Sequence, residues 1–251
     1  MAEKFEKIHT VRLHEIDEQN NLKKIEISRY FQETFALYCK KYDVTAYDIL
    51  KQNLMWVLAD MYIEFTSDMP FWGEDIKVEI WISELTKLKI YADFKIFYNG
   101  IEIAKGDSLW FILDIATRRP INPTELLKPM GVTPEYVFGS HEKFNIEEDG
   151  ELKFSKIYKV GYSELDFNHH MNNISYAMIA VNTIPHEVLK SLTLKAYKIK
   201  FIKECFLDDE ISSEFYENEN NSYFILKRLS DNETVCKIKT EIVKSKTLCP
   251  N

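Results

Sequence analysis

A helix that is apolar on nearly every face is stable only where other parts of the chain surround it, and residues 173–184 spell such a helix. Ile174, Ala177, Met178, Val181 and Ile184 recur at helical spacing, Ile179 and Ala180 fill much of the opposite side, and Pro185 stops the run. The fold must therefore wrap a helix. Just ahead of it, Asp166, Asn168 and His170 stand two residues apart in the turn that leads into its first residues. Free backbone N–H groups and the positive end of the helix dipole can polarise a carbonyl oxygen there. Asp and Asn are also ordinary helix-capping residues, so the turn alone is equally well read as a cap.

What surrounds the helix is legible in the order of elements. The first half reads as a strand near Phe5–His14, a helix near Ile25–Lys41 with Ile27, Phe31, Phe35 and Tyr38 in an apolar stripe, then four strands. These run near Trp56–Thr66, Ile76–Ser83, Leu88–Tyr98 and Glu102–Asp114, with Asn99-Gly100 as a hairpin turn. Residues 117–150 then hold four of the seven prolines and read as a linker. The same order returns afterwards: a strand near Lys153–Tyr162, the apolar helix, and strands near Leu192–Lys203, Glu210–Tyr216, Ser222–Leu229 and Thr234–Val243. The chain contains one unit twice.

Aligned at an offset of 149 residues, Asp17 matches Asp166 and Gln19 matches Asn168, but Asn21 stands where His170 stands. At an offset of 135, Met69 faces Glu204 and Pro70 faces Cys205. The first copy thus lacks both the imidazole, the side chain of the three that titrates near neutral pH, and the carboxylate. All four tryptophans (Trp56, Trp72, Trp81, Trp110) lie in it, which suits an apolar ligand or plain core packing.

The pattern Asp-x-Asn-x-His-x-Asn-Asn-x-x-Tyr, here Asp166 to Tyr176, resembles the active-site motif of the acyl-acyl-carrier-protein thioesterases of plant plastids and bacteria. Trp56-Val, Pro70-Phe-Trp-Gly-Glu-Asp, Thr117-Arg-Arg and Lys203-Glu-Cys are similar to that family's other landmarks, in the expected order. The resemblance implies an α+β fold, a tandem (double) hot-dog in which each repeat is a curved antiparallel sheet wrapped around a central helix. It divides the chain into an N-terminal repeat, 1–116, that binds the acyl chain, a linker, 117–152, and a catalytic repeat, 153–251. The implied reaction is hydrolysis of fatty acyl-acyl carrier protein to free fatty acid, ending chain elongation, with Asp166, Asn168, His170 and Glu204 as the catalytic side chains and no cofactor.

Thioester hydrolysis needs a polarised carbonyl, an activated water or nucleophile, and donors for the oxyanion. Backbone N–H groups of Met171 and Asn172 are the expected oxyanion donors. A papain-like set of Cys205, His170 and Asn168 competes with Glu204 for the activating role. Lysine parity arbitrates: Lys198 and Lys200 put even positions outward, yet the next lysine is Lys203, as a β-bulge between Phe201 and Lys203 would cause. Beyond that slip Ile202 and Glu204 face inward and Cys205 faces away, which makes Glu204 the water-activating base; if Lys203 instead snorkels from an unbroken strand, Cys205 is the nucleophile. A non-catalytic acyl-chain binding protein and a hot-dog dehydratase acting on hydroxyacyl thioesters are the alternatives.

A net charge of −8 argues against a general nucleic-acid binder, no stretch is apolar enough for a membrane span, and no signal-peptide core is present. Cys39, Cys205, Cys236 and Cys249 have no paired spacing, which fits free thiols in the cytoplasm, and the adjacent His169 and His170 lack metal-site spacing. The implied partner, acyl carrier protein, is acidic, so a basic patch is expected from Arg118, Arg119, Lys128, Lys195, Lys198, Lys200 and Lys203. A monomer of paired repeats or a homodimer is expected.

Overall fold

The computed structural model describes residues 3–141, 146, 148–219 and 221–244, and the chain divides into two compact units, Met1–Lys143 and Phe144–Asn251. In the first unit the elements are β1 (Phe5–Thr10), α1 (Ile27–Lys41), α2 (Ala46–Leu50), β2 (Leu54–Phe65), β3 (Asp75–Leu85), β4 (Ile90–Tyr98), β5 (Ile101–Asp114), β6 (Arg119–Pro120) and α3 (Thr124–Leu127). The strands are antiparallel in the order β1-β3-β4-β5-β2, and β6 pairs with β5.

The aromatic stripe of α1 explains how this sheet holds its helix. Phe31 stacks on Phe94 of β4 at 4.2 Å, Phe35 stacks on Trp110 of β5 at 4.5 Å and meets Trp56 of β2 edge-on, and Tyr38 stacks on Phe5 of β1. One helix face therefore touches four strands, and each fully buried Phe stabilises the unit by roughly 1.5–3 kcal/mol. Phe94 lies across Gly106, its partner on β5, where a β-carbon would fall 2.3 Å from the ring. Only glycine lets the ring sit there. The β4–β5 hairpin turns through Asn99 and Gly100, both left-handed (φ 50° and 78°), which are the dihedrals of the tight turn that an Asn-Gly pair signals.

The proline-rich segment read as a linker from residue 117 is fastened to this unit as far as His141. Thr133 N–H donates to Ile82 O, the Trp81 indole N–H donates to Glu135 O (2.8 Å), and Val137 N–H donates to the Asp93 carboxylate (2.8 Å). Prolines mark backbone that cannot join a sheet interior: Pro120 sits in the short edge pairing of β6 with β5, and beyond it the segment lies along strands it does not join.

The second unit comprises β7 (Glu151–Lys159), α4 (Asn173–Val181), α5 (His186–Leu189), β8 (Leu192–Phe201), β9 (Glu210–Glu217), β10 (Ser222–Arg228) and β11 (Glu233–Lys244). Its antiparallel order, β7-β9-β10-β11-β8, is that of the first unit strand for strand. No residue of α4 is exposed: Ile174, Tyr176, Ala177, Ile179 and Ala180 are buried, Tyr176 meets Phe201 of β8, and the hydroxyl of Thr183, just past the helix, bonds Ser213 of β9. Each unit is a helix against a curved antiparallel sheet, the tandem hot-dog of the α+β class.

Candidate active site

The turn before α4 is built by one carboxylate. Asp166 Oδ1 accepts the backbone N–H of Asn168 (2.8 Å) and, more loosely, that of His170 (3.4 Å), while Asp166 N–H bonds His170 O and His169 N–H bonds Asp166 O. This closed loop forces His169 into the left-handed region (φ 64°). Asn172 then caps α4, its side chain accepting Ile174 N–H at 3.0 Å. Asp166 is thus spent on shaping the turn, whereas the Asn168 carboxamide makes no hydrogen bond among the described residues.

His170 projects from this turn to Glu204, with Nδ1 3.6 Å from Oε1. The two side chains are 21% and 30% exposed, shielded enough to strengthen their interaction yet open to water. Phe206 meets the His170 ring edge-on at 5.1 Å. Glu204 sits just past β8, where the expected bulge is present: Ile202 N–H and Lys203 N–H both donate to Val235 O. Glu204 does lie beside His170, but the orientations expected after the slip are not found: Ile202 is 42% exposed rather than inward, and Cys205 is buried rather than turned away. After the bulge the segment has left the ladder, so strand alternation no longer governs it.

Cys205 is fully buried, and burial pushes its thiol up to about 11. Burial thus disfavours the thiolate that a nucleophile needs. The expected oxyanion donors are also corrected. Met171 N–H donates to Cys205 O (2.8 Å) and Asn172 N–H to Glu164 O (2.8 Å), so both are consumed in joining the turn to its neighbours. Asn173 N–H, the first of α4, has no acceptor among the described residues.

Arg228 of β10 had no signal in the sequence beyond a charge at a strand end. Its Nη1 donates to Glu204 O (2.9 Å), and Asp231 (2.6 Å) and Asp209 (3.6 Å) hold the guanidinium, Asp231 raising its proton affinity further. Among the described residues no group of three or more His, Cys, Asp or Glu side chains is placed to hold a metal ion.

A partly exposed His–Glu pair thus stands at a helix start in one of two repeats of a tandem hot-dog. The sequence matches the acyl-ACP thioesterase N-terminal domain over residues 2–129 and the C-terminal domain over residues 147–245; the chain belongs to the acyl-ACP thioesterase family. Its curated relatives include a chloroplastic acyl-[acyl-carrier-protein] hydrolase of Cuphea viscosissima, 26% identical with 92% of this chain and 60% of the relative covered. A dodecanoyl-[acyl-carrier-protein] hydrolase of Umbellularia californica is 22% identical, with 83% of this chain and 58% of the relative covered. The chain spans about three fifths of the length of the curated relatives it matches. Among solved structures, an oleoyl thioesterase from Lactobacillus plantarum superposes with a TM-score of 0.85 at 18% identity, covering 98% of both chains. The 12:0-ACP thioesterase of Umbellularia californica gives 0.82 at 18% identity, with 96% of this chain and 98% of that one covered. At such identity these likenesses show the fold.

Proposed function

We propose that the protein hydrolyses the thioester of fatty acyl groups carried on acyl carrier protein, releasing free fatty acid and the carrier's thiol and so ending chain elongation. The observation that carries this reading is the His170–Glu204 pair, accessible and 3.6 Å apart, at the start of a buried helix. Glu204 takes a proton from water as the water attacks the thioester carbonyl, and His170 beside it assists the transfer and protonates the departing thiolate. Asp166 keeps the turn closed. The Asn168 carboxamide and Asn173 N–H, both with donors unspent, face the charge that develops on the carbonyl oxygen, helped by the positive end of α4. Cys205 is a packing residue.

In the first unit the same role would be idle, and its aromatic interior of Phe35, Trp56 and Trp110 is the reading's place for the acyl chain. An acidic carrier fits the second unit's basic face: Lys198 and Lys200 of β8 lie directly opposite Lys239 and Lys237 of β11. Within this row Lys237 is already paired with Glu148. The cytoplasm is the proposed location, in keeping with the buried free thiols of Cys39, Cys205 and Cys236; Cys249 lies outside the described residues.

The test is a thiol-release assay on medium- and long-chain acyl-carrier-protein and acyl-coenzyme A thioesters without added cofactor, for the wild type and Cys205→Ala. Release from the carrier substrates, with Cys205→Ala within a few fold of wild type, is expected. Absence of release alongside tight fatty-acid binding would make this an acyl-binding protein, C–O elimination from hydroxyacyl substrates a dehydratase, and an acyl group trapped on Cys205 would reverse the assignment of Glu204.

A further inference from the structure

The segment that carries Glu204 has left β8 and makes no ladder bonds after Lys203, yet its three successive carbonyls are each held from a different direction. The Tyr176 hydroxyl, from α4, donates to Lys203 O at 3.1 Å. Arg228 Nη1, from β10, donates to Glu204 O at 2.9 Å, and Met171 N–H, from the turn, donates to Cys205 O at 2.8 Å. Tyr176 is buried and Arg228 is itself fixed between Asp209 and Asp231, so neither donor swings freely.

The first unit shows which of these bonds the fold requires. Leu22 N–H donates to Pro70 O at 2.8 Å, the counterpart of the Met171 bond. The other two have no counterpart. Ile27 stands where Tyr176 stands and has no donor. The position of Arg228, opposite Ile211 on the neighbouring strand, is taken by Tyr98, opposite Ile76, and the Tyr98 hydroxyl goes to Glu74 instead. The bond shared by both units belongs to the architecture; the two extra ones occur only where a glutamate replaces Met69.

We infer that Tyr176 and Arg228 are positioning residues for Glu204, clamping the carbonyls of Lys203 and Glu204 so that the carboxylate stays against His170. The inference rests on the reading of Glu204 as the base. Holding a general base in hydrogen-bonding geometry acts on the chemical step and leaves substrate affinity alone. Loss of either clamp therefore lowers kcat and spares KM.

The experiment compares Tyr176→Phe, Arg228→Met and Arg228→Lys, with Tyr98→Phe in the first unit as control. Tyr176→Phe and Arg228→Met should each lower kcat by about 10-fold at unchanged KM, Arg228→Lys should recover part of the loss because a lysine still donates to the carbonyl, and Tyr98→Phe should match wild type. The Tyr176→Phe loss should persist in a Cys205→Ala background, since that hydroxyl also faces the Cys205 thiol. A second measurement does not depend on turnover: the imidazole nitrogen resonances of His170 at fixed pH should move in the direction produced by Glu204→Gln when either clamp is removed. Unchanged kcat in both clamp variants, or His170 resonances that respond to Glu204→Gln but to neither clamp variant, overturns the inference. A wild type that releases no thiol refutes the hydrolase reading instead, while the resonances still decide whether the clamp holds Glu204.

Discussion

The turns that open the two units share a hydrogen-bond skeleton and differ in what they could do. Asp17 Oδ1 accepts the N–H groups of Gln19 and Asn21, both at 2.9 Å, as Asp166 does for Asn168 and His170. Asp17 N–H bonds Asn21 O at 2.8 Å as Asp166 N–H bonds His170 O, and Lys23 N–H bonds Glu15 O as Asn172 N–H bonds Glu164 O. Asn20 is left-handed (φ 67°), as His169 is. The turn is thus a property of the repeat, and its presence says nothing about chemistry. On the proposed reading the chemistry resides in side chains the skeleton tolerates: His170 for Asn21 and Glu204 for Met69, with Tyr176 for Ile27 and Arg228 for Tyr98 as the inferred supports. Asp166, the first letter of the motif, is the residue both units keep.

The sharpest way to break this comparison is to alter matched positions. His170→Ala should lower kcat by about 10²-fold or more, whereas Asn21→Ala should leave it within a few fold. Equal losses in a turnover assay would mean that both units do chemistry.

A second contrast concerns a buried cluster described only in the first unit. Asp93 and Asp107 are cross-strand partners with His141 against both, Nδ1 3.1 Å from Asp107 and Nε2 3.5 Å from Asp93, and Ser83 Oγ 3.0 Å from Nε2. Burial raises Asp93 to about 6. The folded state therefore binds this proton more readily than the unfolded chain, and the contribution of Asp93 to stability falls as pH rises from about 4 to about 6. Asp93→Asn, which keeps an oxygen for Val137 N–H, should stabilise the protein by about 1–2 kcal/mol at pH 7.5 and by little near pH 4. Thermal melts across that range check it, and a gain independent of pH would show that the charge is not the cause.

The smallest effect sharpens the shared skeleton. Asn tolerates the left-handed region better than His, so His169→Asn, copying Asn20, should raise stability by about 0.5 kcal/mol without changing kcat. A loss of stability in denaturant melts would mean that the two turns are less alike than their hydrogen bonds.

Much of this was legible in the sequence because it is local or periodic. The apolar pattern of α4, the stripe of α1, the Asn99-Gly100 turn and the order of elements along the chain all follow from neighbours within a few residues, whereas the wrapped sheet was implied by the family resemblance. The slip before Lys203 could be read because lysines label the outer face, but the orientations drawn from it for Ile202 and Cys205 failed because the chain leaves the ladder there. Where the reading fell short, the cause was distance along the chain. The N–H of Met171 looks free at a helix start and is taken by Cys205, far along the sequence. The prolines after Thr117 signal irregular backbone correctly, but the groups that fasten it, Trp81 and Asp93, belong to strands passed long before. The short helices α2, α3 and α5 carry too few apolar positions to show a period.

The three held carbonyls also set a lifetime. Their donors come from the first turns of a nine-residue helix, the end of a strand and a surface turn, elements whose ends open locally more often than the unit unfolds. Whenever any one of them lets go, Glu204 is free to drift, so the competent arrangement lasts only as long as its shortest-lived tether. On warming, turnover should therefore fade before the second unit melts.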